Sequence, residues 1–409
     1  KPALRFKGFT DPWEQRKLAE LTKTITTGKS VNSDEGEVSD GDIGVLKTSC
    51  VSYDRFNPSE SKPVVKSEQQ LVKCAVEKDS VIVSRMNTPE RVGACGYVST
   101  DFPNLFLPDR LWKLKFQDTV DTYFVYMMLV SSAYKEKITS MASGTSGSMY
   151  NIPKETFLNL QLVIPAKIDE QKQLGRILKK IDSLITLHQR KYEKLVNIKK
   201  SMLDKMFPKN GASVPEIRFK GFTDPWEQRK ISELAEKTYG GGTPTTSNEA
   251  FWNGNIPWIQ SSDIVDGKLM GVEPRKYITQ TGLNSSATQL VPKDSIAIIT
   301  RVGVGKLAYM PFSYSTSQDF LSLSKLNTEP FFTVYACYKK LQSELNTVQG
   351  TSIKGITKDE LLAKTISVPV YSEQKQIGSF FTQLDTLITL HQREHIKPIL
   401  EVKRVKRNE

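Results

Sequence analysis

Three histidines, His188, His391 and His395, are the only imidazoles in this 409-residue chain, and none sits where acid–base chemistry would want it. All lie in or just after long segments of helical periodicity. There a polar residue on an apolar stripe more often fixes the register of paired helices than binds a ligand. The cysteines, Cys50, Cys74, Cys95 and Cys337, lack the close pairs of a zinc knuckle or a disulfide framework. Gly305 and Lys306 look like the end of a phosphate loop, but Thr300 stands where its first glycine belongs and Leu307 where its hydroxyl residue belongs. No carboxylate pair at nuclease spacing and no GxGxxG after a strand is present. The expectation is a chain that binds, with no catalytic residue, cofactor or metal site of its own.

The remaining chemistry is charge. A formal charge of +12 and a pI near 9.2 predict a polyanionic partner, because such an excess attracts phosphate backbones over long range. With 38% apolar and 25% charged residues the composition is that of a folded protein, long enough for two or three domains. Apolar runs are shorter than a membrane span, and the first residues lack a signal-peptide core, so the expected compartment is the cytoplasm.

The elements that must position this charge come twice. Residues 5–17, RFKGFTDPWEQRK, return letter for letter at 218–230. EQKQLGRILKKIDSLITLHQR at 170–190 returns as EQKQIGSFFTQLDTLITLHQR at 373–393. Between these blocks the halves diverge, which suits a scaffold that looks alike to two identical partners while carrying two different recognition surfaces. The divergent segments still share a plan. A short helix runs into a Gly/Ser/Thr-rich loop, then come strands at 45–51 and 256–264 and again at 78–85 and 293–301. Helical patterns follow at 119–138 and 330–345, then polar loops at 142–153 and 349–357, then final strands ending in LVIP and ISVP. The prediction is two mixed α/β (α+β) domains of about 140 residues each.

From residue 170 to about 206, Leu174, Ile177, Leu178, Ile181, Leu184, Ile185, Leu195, Ile198, Met202 and Met206 trace a heptad-like stripe. The second copy offers Ile377, Phe380, Phe381, Leu384, Leu387 and Ile388. The expected seam pairs Leu174, Ile177, Ile181, Leu184 and His188 with Ile377, Phe380, Leu384, Leu387 and His391 in an antiparallel coiled coil. At 1.5 Å per residue each rod is about 50 Å long. The second copy departs after Arg393, where Pro398 is expected to kink or end the helix.

Two variable domains, each followed by a near-identical long helix, together with GGGTPTTSNEAFWNGNIPWIQSSDI at 240–264 and GTS loops at Gly144 and Gly350, resemble the specificity subunit of type I restriction-modification enzymes. The resemblance covers essentially the whole chain. It implies target-recognition domains at 24–167 and 237–371, related by pseudo-twofold symmetry, with constant regions at 1–23, 168–236 and 372–409. Each domain would read one half of a split sequence in double-stranded DNA. The paired helices would set the gap and dock two methyltransferase subunits. S-adenosylmethionine, ATP and Mg would belong to the modification and restriction/translocase subunits.

In that reading the DNA-binding residues are polar, lie in the variable halves and sit in loops. Lys47, Thr48, Arg85, Asn87, Arg91, Arg110, Thr145, Ser146 and Tyr150 are the candidates of the first domain. Gln260, Ser261, Arg301, Lys306, Gln318, Asp319, Thr351, Ser352 and Lys354 are those of the second. Arginine suits guanine, Gln or Asn suits adenine, and Asp accepts from cytosine N4. The first domain lacks the GGTP loop, having TTGKSVNSDEGEVSD at 26–40 instead. Two other readings stay open: a sequence-specific nuclease or methyltransferase with an unrecognised active site, and a protein-binding adaptor with incidental charge.

Overall fold

The computed structural model describes residues 5–53, 55–144, 149–209, 212–347 and 355–405. The chain forms two compact units, residues 1–184 and 185–409.

In the first unit, strands Cys95–Val98, Ser80–Ser84, Leu111–Phe116 and Thr22–Thr27 form an antiparallel sheet in that order. All five residues of Ser80–Ser84 are buried. Because side chains alternate across a strand, Val81 and Val83 join one core with the helices Thr122–Val130 and Ser132–Ser140, while Ile82 joins a second core. That second core lies under a smaller sheet of Ser61–Pro63, Gly44–Leu46, Phe102–Phe106 and Ala75–Val76, in which Gly44–Leu46 runs parallel to Phe102–Phe106.

The second unit repeats the plan with other residues. Leu307–Met310, Ser295–Ile299, Phe320–Leu326 and Ala235–Gly240 form the main sheet, and Ile296 and Ile298 face the helix side while Ala297 and Ile299 face away. The smaller sheet is Lys276–Ile278, Trp252–Ile259 and Ser315–Thr316, again with one parallel pair. In each main sheet the strand after a Lys-Asp-Ser turn is central. Asp79 and Asp294 take φ of 55° and 60°, an excursion that Asp tolerates better than most residues. Each accepts a hydrogen bond from the tyrosine of the neighbouring strand, Tyr97 and Tyr309.

Two local expectations give way. The helix predicted after the first constant block is only Leu18–Leu21, and the chain turns at once into strand Thr22–Thr27, where alternation and β-branched residues in TKTITT outweigh helical propensity. Its counterpart is a single 3-10 turn, Ile231–Glu233, ahead of Ala235–Gly240. Nor does Pro398 end the last helix, which runs Tyr371–Val405.

The first long helix runs Ile168–Lys205 and its inward stripe is partly polar. Gln171 is buried, Leu174 packs into the core of the first unit, and Leu178, Asp182, Ile185 and His188 continue the line. This corrects the apolar stripe: Ile177, Ile181 and Leu184 are 42, 38 and 46% exposed, and Leu387 on the second helix is 43% exposed. The phase is set by polar anchors that an apolar count overlooks. In the second unit the two long helices do touch. His188 Nδ1 lies 3.0 Å from His391 Nδ1, Lys199 Nζ lies 2.5 Å from Asp385, and Phe207 stacks on Phe381. Numbers rise along one helix as they fall along the other, so the contact is antiparallel. Ile377, Phe381 and Leu384 are buried with Leu203 and Met206, and Phe380 packs against them.

Candidate nucleic-acid interface

The constant residues fasten each long helix to the constant block ahead of its variable domain, and they do so by the same ion pair in both units. Arg5 Nε and Nη2 donate to both oxygens of Glu170 at 2.6 Å; Arg218 does the same to Glu373 at 2.8 Å. Both carboxylates are almost fully buried, and the hydrogen bond and charge of Arg5 hold Glu170 below the usual carboxylate range. The next residue, Gln171, accepts from the Asp121 backbone N–H and donates to the Pro165 carbonyl, while Gln374 accepts from Glu329 and donates to Pro369. Asp121 and Glu329 cap the N-termini of the helices that pack on the main sheets, through Phe124 N–H and Phe332 N–H. Burial dominates at Glu329 and pushes its carboxyl up. These caps approach so closely that a Cβ on Gly175 would lie 2.6 Å from Asp121 Oδ1, and one on Gly378 would lie 2.5 Å from Glu329 Oε2. The constant strands close each domain, Trp13–Lys17 against Gln161–Pro165 and Glu227–Lys230 against Thr365–Val368.

The loops that these frames carry differ. In the first unit Asn87 is buried, its Nδ2 donating to Ser84 Oγ at 3.0 Å and to the Thr48 carbonyl at 3.5 Å, so its amide is engaged inside the domain. Arg85 is half-buried, with Nε on the Asp109 carbonyl at 2.8 Å and Nη1 on Asn151 at 3.5 Å. Tyr150 pairs with Asn87 across a two-residue ladder. Arg91 and Arg110 are exposed, and Lys47 and Thr48 are half-buried. Arg91 borders a cavity of about 350 Å³ lined also by Ser49, Arg55, Asn57 and Glu60. Sequence reasoning passed over Arg55, Asn57 and Glu60; the only signal for them is a Ser/Asn/Pro-rich turn between short strands. Thr145 and Ser146 lie outside the described residues.

In the second unit the GGTP loop is clamped from below. A Cβ at Gly241 would fall 1.9 Å from the Ser317 carbonyl and one at Gly242 2.5 Å from the Thr288 amide, so only glycine fits. Trp258 Nε1 donates to the Gly242 carbonyl at 3.0 Å. Thr243 Oγ1 then donates to Gln318 Oε1 at 2.6 Å, which fixes an exposed amide that has two N–H donors. Its neighbour Asp319 is held by Ser317 Oγ at 3.2 Å, and its carbonyl accepts from Thr300. Gln260 and Ser261 sit in a capped turn in which Gln260 N–H donates to the buried Asp263 at 3.0 Å. Arg301 is exposed, and Lys306 is half-buried in the same turn as Val302, which is 71% exposed. Thr351, Ser352 and Lys354 lie outside the described residues. In both units the chain after the polar GTS loop is pinned to the end of the central strand, Ile152 N–H to the Arg85 carbonyl and Ile356 N–H to the Thr300 carbonyl.

Among the described residues no group of three or more His, Cys, Asp and Glu could hold a metal ion, and no helix is long and apolar enough to cross a membrane. Burial pushes the Cys50, Cys95 and Cys337 thiols up to about 12, far from a reactive thiolate at neutral pH.

Known proteins share this plan. The family described as type I restriction modification DNA specificity domain matches residues 10–197 and 223–400. The chain is 20% identical over 394 residues to the putative MjaX specificity subunit of Methanocaldococcus jannaschii, covering 94% of this chain and 89% of that one. It is 28% identical over 170 residues to the MjaIX specificity subunit of the same organism, covering 40% of this chain and 38% of that relative. It is 30% identical over 169 residues to the EcoR124I/EcoR124II specificity subunit of Escherichia coli, covering 39% of this chain and 41% of that relative. The crystal structure of the S subunit of the M. genitalium type I restriction-modification system has the same fold, with a TM-score of 0.64 at 16% identity over 98% of this chain and 96% of that one. Because the family's model matches twice and accounts for most of the sequence, the chain belongs to the family of type I restriction modification DNA specificity domains and carries two of them.

Proposed function

We propose that the chain is the non-catalytic, DNA-reading subunit of a type I restriction-modification complex. Each variable domain, residues 24–167 and 237–371, reads one block of a split duplex sequence. The constant regions, 1–23, 168–236 and 372–409, hold the two readers at a fixed separation. The carrying observation is that identical clamps, Arg5 on Glu170 and Arg218 on Glu373, fasten long helices to domains of the same strand order and different loops. A frame repeated with that fidelity around divergent loops serves two targets and one kind of partner.

The net charge of +12 supports phosphate contacts, which position the domains, while Arg91, Arg110, Arg301 and Gln318 are exposed enough to reach base edges. The repeated, exposed Leu184 and Leu187, matched by Leu387 and Leu390, suit docking of two methyltransferase subunits. S-adenosylmethionine, ATP and Mg act in those and the translocase subunits, in the cytoplasm.

The test is co-expression with the modification subunit from the same locus, followed by sequencing of methylated adenine. A motif of two specified blocks separated by unspecified bases is expected. Deleting one heptad from either long helix should change the number of unspecified bases, and an unchanged gap would remove the ruler from the reading. DNA association that does not weaken with salt would favour an adaptor instead.

A further inference from the structure

The two long helices are held to their domains by one contact whose partners the duplication does not explain. Asp182 Oδ2 accepts the Tyr123 hydroxyl at 2.6 Å, and Asp385 Oδ2 accepts the Tyr335 hydroxyl at 2.5 Å. The aspartates stand at equivalent places in the repeated sequence, but the tyrosines do not. Tyr123 lies two residues after its capping residue Asp121, whereas Tyr335 lies six after Glu329, about one helical turn further on. Two divergent domains thus reach the same carboxylate from different turns. A lysine covers each ring, Lys179 at 5.5 Å from the Tyr123 centroid and Lys199 at 5.5 Å from that of Tyr335, and these too come from different places on the first long helix. Lys199 also pairs with Asp385 at 2.5 Å. Simple packing would be satisfied by phenylalanine. A hydroxyl aimed at a carboxylate adds direction, since a hydrogen bond to a charged acceptor restrains the angle as well as the distance.

The latches lie farther along the helices than the Glu170 and Glu373 clamps. Each domain is therefore gripped at two points of its own helix, roughly three turns apart, and two points fix a tilt where one would leave a pivot. We propose that Tyr123 with Asp182 and Tyr335 with Asp385 are positioning residues that set the gap between half-sites while contributing nothing to the identity of the bases read. The inference rests on the reading of a split target. One base step is about 3.4 Å along a strand, so a small tilt of a domain on its helix changes which gap fits before it changes which bases match.

The experiment uses the complete complex with its modification subunits, and duplexes carrying the identified blocks at the native gap and at one base pair more or less. The double variant Tyr123→Phe with Tyr335→Phe should raise kcat/KM on the wrong gaps, relative to the native gap, by at least roughly tenfold, a factor smaller than the loss of even one hydrogen bond to a charged acceptor could produce. The base preference within both blocks should stay as it is. Asp182→Asn with Asp385→Asn retains a carbonyl acceptor for each hydroxyl but loses its charge, and at Asp385 the Lys199 ion pair as well, so its gap discrimination should fall between that of the native complex and that of the tyrosine variant. Unchanged gap discrimination in the tyrosine variant, or an equal loss on every gap, would overturn the proposal. A wild-type complex with no gap preference at all would overturn the split-target reading beneath it.

Discussion

The two copies of the variable domain agree where they meet the constant helices and disagree where they face outward. Their main sheets have the same strand order, yet the first carries TTGKSVNSDEGEVSD where the second has its clamped glycine loop. Agreement is enforced by close approach. Glu170, Gln171, Gly175 and Asp182 each touch a defined atom of the domain, and Glu373, Gln374, Gly378 and Asp385 repeat the set. The outward loops have no such partner shared between the copies. The common frame and the divergent loops therefore draw on different residues of one chain.

The comparison is broken most severely at the clamps. Arg218→Ala leaves the Glu373 carboxylate buried without its cation and should lower the stability of the second unit by about 3 kcal/mol. Calorimetry would detect this as a downward shift in the thermal transition of that unit, and an unshifted transition would make the clamp ornamental. Gly378→Ala comes next, because its Cβ would stand 2.5 Å from Glu329 Oε2 and 2.9 Å from the Phe332 amide. A loss of about 2 kcal/mol is expected from such overpacking, read by denaturant titration. In the second loop, Gln318→Ala should cost about 1 to 3 kcal/mol at a single base position if the amide reads an edge. Binding measured against each single-base variant checks this, and a uniform loss would assign Gln318 to phosphate.

Smaller effects sharpen the contrast between the copies. Trp13 Nε1 donates to Glu170 at 3.3 Å, whereas the buried indole N–H of Trp226 has no hydrogen-bond partner among the described residues. Trp13→Phe should therefore destabilise by about 1 kcal/mol more than Trp226→Phe, measured side by side in urea. The Glu170 clamp also predicts a pH dependence. Its folded pKa is depressed, so its contribution is present above the ordinary carboxylate range and is lost as pH falls through the lower folded value. Glu170→Gln should flatten that acid limb of the stability curve, and equal curves for both proteins would contradict the assignment.

Much of the frame was legible without coordinates. The duplication at 5–17 and 218–230, the long helices and the Lys-Asp-Ser turns follow from letter identity and periodicity, which are local properties of a chain. The strand Thr22–Thr27 directly after the short helix was not, because alternation in TKTITT counts only once a neighbouring strand supplies the hydrogen bonds. Candidate interface residues fared unevenly for a related reason. Gln318 is exposed and braced by Thr243, while Asn87 has the same amide chemistry and is buried in contacts with Ser84 and Thr48.

By itself, the sequence determined that there are two frames, that they are alike, and that the chain is basic, since repeats and charge need no geometry to be counted. Only the tertiary structure decided which face of each long helix turns inward. That phase is set by Gln171, Gly175 and Asp182 meeting backbone amides, a capping carboxylate and a tyrosine hydroxyl from segments about 50 residues or more away. Such contacts leave no periodic trace, and so Ile177, Ile181 and Leu184 stand at the surface where an apolar stripe alone would have buried them.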